Sequence, residues 1–415
     1  MPRTAVDITD VSTGTGTMRA CGSFLTAGVL SCAAIACGDA SSEPEDQPPN
    51  EVLVSDSAGI TNIALGRVEE LSVPLLEANL VFSTRDLGIE LFWVGDAVLL
   101  GNDGLALANT GSSEVFLFSG DGSITARVGG QGEGPGEFSD ITTLLATAEG
   151  FLAYDARLTR LSEFSASGEF LTSSLLSAQS AIVDLRPLAR DAAGNLVAIL
   201  GEQRFFLPEG MKRDTTPLLS FTDLETEPDT LGMLPAKEWV YGGFPGGGVT
   251  RTEPAVGRDI VAGGFRDRAL IGDNELLSLS VYAADGRPTR LIRGSGGGWT
   301  VTAEEIEAWR AERIARRGPD VPDWYVEFAA NAPYRETHPA FHAAVLGPGE
   351  MVWIGLATRS GEDTRRWLVI GPDGQPRGWL DLPAEASVLA VDAGRFVLLE
   401  RDALDEEEVS LYRYR

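Results

Sequence analysis

From residue 52 onward the chain alternates short runs of branched and aromatic residues with Gly and Asp turns. Few stretches carry the 3.6-residue period of a helix. Within many runs apolar and polar positions alternate, the pattern of a strand with one face buried. One phrase recurs: an alternating strand, a turn, then a second strand. It reads EVFLFSGDGSITARV at Glu114 to Val128, RLSEFSASGEFLTSS at Arg160 to Ser174 and PLLSFTDLETEPDTL at Pro217 to Leu231. It returns as LSLSVYAADGRPTRLI at Leu277 to Ile292 and RRWLVIGPDGQPRGWLDL at Arg365 to Leu382. A sixth copy, EEVSLYRYR from Glu407 to Arg415, holds only the first strand.

The pairs Asp121-Gly122, Asp285-Gly286 and Asp373-Gly374 suit tight hairpins because Gly takes positive φ without cost, and Ser167-Gly168 serves the same purpose. Ahead of most copies lies another strand pair built on a Gly turn, as in GLALAN (Gly104 to Asn109), GFLAYD (Gly150 to Asp155) and GEMVWIG (Gly349 to Gly355). Four strands per unit, repeated about every 45 to 60 residues, predict an all-β, six-bladed β-propeller over residues 52–415. The incomplete sixth copy needs an outer strand from elsewhere. GITNIAL (Gly59 to Leu65) is expected to close it, leaving no long sheet edge open.

The wide gap between the fourth and fifth copies predicts a small helical insertion at about residues 300–335. Thr302-Ala303-Glu304-Glu305 has the form of a capping box, Ile306, Trp309 and Ile314 fall near one face, and Gly318-Pro319 ends the helix. A second helical piece is expected around Trp324 to Ala330. Trp309, Trp324, Tyr325 and Phe328 need burial, so the insertion should pack on the propeller.

The formal net charge is −28. Such a surface repels phosphate backbones, so no nucleic-acid partner is expected. Cys21, Cys32 and Cys37 all precede the repeats. The predicted body therefore has no cysteine for a disulfide, a thiolate metal site or a nucleophile. Arg19 and the apolar run Phe24 to Ala36 have the layout of a secretory signal, and Met18 could be the true start. Ala34-Ile35-Ala36-Cys37-Gly38 is similar to a bacterial lipobox, with Cys37 as the acylated residue and Cys32 as an alternative. Residues 38–51, acidic and rich in Ser and Pro, should act as a flexible tether between a signal segment at 1–37 and the propeller. The expectation is an exported, membrane-anchored lipoprotein of the cell envelope, monomeric, touching the bilayer through its lipid alone.

GGQGEGPGEF (Gly129 to Phe138) resembles the GxxGxGPGEF phrase of NHL-type six-bladed propellers of bacterial envelope proteins. Val54 to Ile63, His338 to Gly355 and Arg401 to Arg415 look like further landmarks of that family. The resemblance implies the propeller, an N-terminal closing strand and a lipoprotein signal. It assigns no activity.

Candidate site residues are few. Glu133 and Glu137 could face a ligand at the channel mouth, although the glycines around them equally suit a tight inter-blade turn with Phe138 plugging the core. Asn109 and Asp155 end equivalent strands; they could hold Ca²⁺ near the channel or accept turn hydrogen bonds. The sequence requires no cofactor, though calcium is compatible with it. His338 and His342, the only histidines, have the i, i+4 spacing of a weak zinc site, but Pro339 follows the first. Arg186 and Arg335 could bind an anion or pair across blades. Two functions follow: a non-catalytic module displaying its face to a protein, glycan or peptide, or a metal-dependent hydrolase or lyase, such as a lactonase, acting in the channel.

Overall fold

The computed structural model describes residues 51–101, 103–176, 185–201, 208–359, 361–402 and 404–415. Cys37, Cys32, the signal and all but the last residue of the tether lie outside them. The strands form six sheets arranged as blades. The first strands of the blades are Val94–Leu99, Ile141–Ala146, Leu185–Arg190, Ile260–Phe265, Phe341–Leu346 and Ser387–Val391. Each contacts the first strands of the blades on either side, and the sixth meets the first, which closes the ring around a central channel. The chain is a six-bladed β-propeller.

Each of the five full copies forms the third and fourth strands of its blade, as in Glu114–Phe118 with Ile124–Gly129 and Thr364–Ile370 with Pro376–Pro383, and the sixth supplies the third strand alone. The turn glycines Gly122, Gly168, Gly286 and Gly374 have φ of +88°, +87°, +83° and +79°, so the sequence reading of these hairpins holds. Six apolar clusters fill the wedges, one between each pair of neighbouring blades. Alternation is steepest in outer strands such as Ser278–Ala283, whereas the second strands Leu105–Asn109, Gly150–Asp155 and Val352–Leu356 are buried on both faces. A strand sandwiched between two wedges has no solvent face to mark with polar residues.

Closure uses a different segment from the one expected. Ala78–Ser83 completes the sixth blade, antiparallel to Glu407–Tyr414, with Leu411 opposite Phe82. Gly59 to Leu65 instead falls in the hairpin Leu53–Ser57/Ile60–Arg67, which extends the fourth blade and runs parallel to Pro288–Ser295. Chain length explains the choice. From Ser83 ten residues lead to Val94, matching the eleven between Gly129 and Ile141. Closure through Leu65 would need a far longer connection. The apolar face of the earlier strand is absorbed elsewhere, since Ile63 and Leu65 pack into the wedge between blades four and five.

The insertion contains α1 (Ala303–Ala315) and α2 (Asp323–Asn331). The capping box is present: Thr302 accepts from the Glu305 N–H and the Thr302 N–H donates to the Glu305 carboxylate. Helix α2 packs on the long third-blade strand Asp229–Phe244. Trp324 lies on Phe244 with ring centroids 5.4 Å apart. Phe328 covers Gly242, where a Cβ would stand 2.5 Å from the ring, so only Gly admits that approach.

Candidate functional site

The first strands begin at the end of the channel where the blade-to-blade connections emerge, and the insertion and the Gly129–Phe138 loop both belong to those connections. The channel is a cavity of about 310 Å³. Its walls are mostly apolar side chains and backbone, with Thr142 and Thr143 as neutral polar residues. Two charged side chains line it: Asp96 on blade one and Arg186 on blade three.

Asp96 is bound into the ring. Its Oδ2 accepts from the Leu144 N–H of blade two at 2.9 Å and its Oδ1 from the Ala97 N–H at 2.8 Å. Loss of hydration pushes its carboxyl up to about 6, against the lowering pull of the Leu144 N–H, Arg186 and the Ala97 N–H. Arg186 is exposed into the channel, where its charge acts on Asp96, and among the described residues its guanidinium has no hydrogen bond or salt bridge. An unpaired guanidinium thus shares an apolar channel with a carboxyl that half-protonates near pH 6. The first can hold an oxyanion as a planar fork. The second can accept from a donor group, or donate once protonated.

The other candidates stand elsewhere. Asn109 is buried at the end of its strand; Oδ1 accepts from the Phe92 N–H and Nδ2 donates to Ser112. Asp155, fully buried, accepts from the N–H groups of Ser139 and Leu158 at 2.6 and 2.9 Å. Both residues hold connections in place, and neither lines the channel cavity. Glu133 and Glu137 are exposed, and neither borders that cavity. Their carbonyls accept from the buried Arg160 guanidinium, and the Glu137 carboxylate accepts from the Gly134 N–H. Phe138 is fully buried in the wedge between blades one and two. A Cβ on Gly129 would stand 2.7 Å from that ring and 2.8 Å from the Ser113 carbonyl, which accounts for one of the loop's glycines.

Arg335 is taken up by Glu238, itself 2% exposed, through a bidentate pair with a closest approach of 2.6 Å. His338 and His342 share a second cleft, of about 610 Å³, beneath α1. His338 Nε2 lies 3.2 Å from Glu305 Oε1, and its ring packs against Trp299. His342 opens along the cleft wall, where desolvation and then Arg365 pull its imidazole down to about 4, leaving it neutral at pH 7. Among the described residues no three His, Cys, Asp or Glu side chains gather in a group that could hold a metal ion.

Sequence reading reached Arg186 and missed Asp96. The available signal was a lone Asp inside the otherwise apolar first strand Val94–Leu99, a place where burial makes a carboxylate costly.

Residues 94–186, the first two blades and the opening of the third, match a family model described as 6-bladed beta-propeller, DUF5128. No curated protein matches the chain by sequence. Among solved structures it is similar to a Bacteroides fragilis protein assigned as exported, at 12% identity and TM-score 0.46 over 85% of this chain and 99% of that one. It is also similar to a DUF4221 member from Bacteroides vulgatus, at 12% identity and TM-score 0.41, covering 88% and 99%. A Xanthomonas campestris gluconolactonase matches at 8% identity and TM-score 0.38, covering 89% and 99%.

Proposed function

We propose that this chain is a lipid-tethered propeller of the cell envelope that binds, without transforming, a ligand at the mouth of its channel. One observation carries the reading: the unpaired Arg186 guanidinium shares the apolar channel with the Asp96 carboxylate. The pair fits the end of a short peptide, with the terminal carboxylate on Arg186 and an N–H or ammonium group on Asp96. Export and anchoring rest on the signal layout and on Cys37, and an NHL-type repeat rests on the Gly129 to Phe138 phrase. A metal-dependent lactonase or lyase would need three or four oxygens converging on one point. The channel lining offers one carboxylate, and the Asn109 and Asp155 oxygens are spent on backbone N–H groups.

Titration calorimetry of the whole protein with a dipeptide panel tests this. Binding of a subset is expected, with at least a tenfold loss in Arg186→Gln and a weaker loss in Asp96→Asn, where tenfold corresponds to about 1.4 kcal/mol. Dipeptides that leave the protein untouched, or bind Arg186→Gln equally well, refute the assignment. Stoichiometric Ca²⁺ or Zn²⁺ in the purified protein would move the case to the enzyme.

A further inference from the structure

Five arginines of the described residues are buried: Arg160, Arg258, Arg290, Arg365 and Arg395. Four have their acceptors. Arg160 donates to the carbonyls of Glu133 and Glu137, and Arg258 to those of Val256 and Thr337. Arg290 donates to the carbonyls of Glu350 and Pro372, and Arg395 to the Asp392 carboxylate and the Leu100 carbonyl. Arg365, on the fifth-blade strand Thr364–Ile370, is 7% exposed, and among the described residues its guanidinium has no hydrogen bond or salt bridge, only a longer-range attraction from the exposed Glu385. Its Nε is buried without an acceptor. Removing a guanidinium from water without a partner costs several kcal/mol, so a fold that keeps one there is expected to pair it with something.

Arg365 lines the cleft beneath α1, beside His342. Trp309 lines the same cleft, and its indole N–H is also buried without an acceptor, as is the Nε of Arg258. Those three atoms are closed off from the cavity, which leaves the terminal nitrogens of the Arg365 fork to serve a cleft of about 610 Å³ whose apolar wall comes from Trp309, Ala308, Pro339 and Val256. Such a lining asks for an acceptor-rich head on an apolar body. We infer that this cleft is a second ligand site, separate from the channel, which binds the carboxylate of a small organic acid on Arg365. A carboxylate suits it better than a phosphate. The planar Arg365 fork matches the two oxygens of a carboxylate. Glu238, Glu253, Asp259, Glu305, Glu312, Glu362 and Glu385 also border the cleft, and their repulsion is about twice as large for a dianion as for a monoanion.

The test is calorimetry of the whole protein with phenylacetate, the uncharged phenylacetamide and inorganic phosphate. Phenylacetate should bind, and the amide should bind at least tenfold more weakly. Arg365→Gln should lose at least tenfold, while the adjacent Arg366→Gln, exposed and paired with Asp381, should match the parent. If Arg365→Gln fails to fold, Arg365→Lys keeps the charge without the fork and should weaken phenylacetate several-fold. Three outcomes overturn the inference: no phenylacetate binding, equal binding by Arg365→Gln or by Arg365→Lys, or phosphate binding more tightly than phenylacetate. The first would leave water, or Glu385 turned inward, as the partner of Arg365.

Discussion

Above pH 6 the Asp96 carboxylate should be a load on the fold, and replacing it with Asn should relieve part of that load in a pH-dependent way. Its carboxyl stands at about 6, raised from 3.8 chiefly by desolvation. A gap of roughly two units is worth roughly 3 kcal/mol between protonation states. Asp96 keeps some contact with the channel, so solvent screening should reduce this to about 1.5 kcal/mol. The folded state holds the proton more tightly than the unfolded chain does. Stability from this group is therefore full below about pH 4, falls as pH rises from 4 to 6, and stays at the lower level beyond. Asn does not titrate, but with one acceptor oxygen it gives up one of the bonds from the Leu144 and Ala97 N–H groups, at a cost of about 1 kcal/mol. Asp96→Asn should thus be less stable than the parent at pH 4 by about 1 kcal/mol and equal or better at pH 8. The quantity to measure is the difference between the two proteins by urea unfolding at each pH, which cancels the other carboxylates. Parallel pH curves, or an advantage of Asn that grows toward acid, would refute the reasoning.

Four further outcomes follow from packing and pairing. Phe82→Ala in the closing strand removes a buried ring stacked 5.5 Å from Phe118, so unfolding should register a loss of about 3 to 5 kcal/mol. Leu53→Ala in the fourth-blade hairpin, where Leu53 is 62% exposed, should change stability by under about 0.5 kcal/mol. Arg160→Met should cost about 2 to 4 kcal/mol and speed hydrogen exchange at Gly130 and Gly132, because the guanidinium ties down the carbonyls of Glu133 and Glu137. Arg335→Met should destabilise more than Glu238→Gln, since the first strands a buried carboxylate at a cost of about 3 kcal/mol, whereas Arg335 is a third exposed and can rehydrate.

Blade number, hairpin positions and the capping box were legible because each depends on local chemistry. A Gly at positive φ, an alternating strand and a Thr three residues ahead of a Glu act over a few residues. The closing strand was not legible from alternation, because Ile60–Arg67 and Ala78–Ser83 both offer an apolar face to a sheet edge. The length of the connection to Val94 separates them, and that criterion was open to a reader of the sequence. Asn109 and Asp155 were correctly placed as equivalent strand ends. Their side-chain acceptors depend on which N–H groups the preceding connection brings near, a tertiary fact. Arg365 and Asp96 share one difficulty. Both are charged residues in strands otherwise built for burial, and their isolation shows only once the neighbouring blades are in place.

The two ends of this ring are built to different rules, and the difference bears on where function sits. At one end the hairpin turns at Gly122, Gly168, Gly286 and Gly374 are short and set by Asp-Gly or Ser-Gly pairs that leave little room for variation. At the other end each blade hands the chain to the next. There the connections range from the three residues between Pro383 and Ser387 to the helical insertion between Ser295 and Phe341. Apart from anchors such as Phe138, Leu91 and Ala340, which enter the wedges, these longer connections can change while the blades stay fixed. Asp96 and Arg186 lie near the starts of first strands, and Arg365 lies near the start of its own third strand, all toward that variable end. A rigid ring presenting charges beneath changeable connections suits the recognition role proposed above, in which the scaffold fixes the charges and the connections shape what reaches them. Exchanging the insertion should therefore alter what the α1 cleft accepts while leaving the Asp96 and Arg186 channel unchanged.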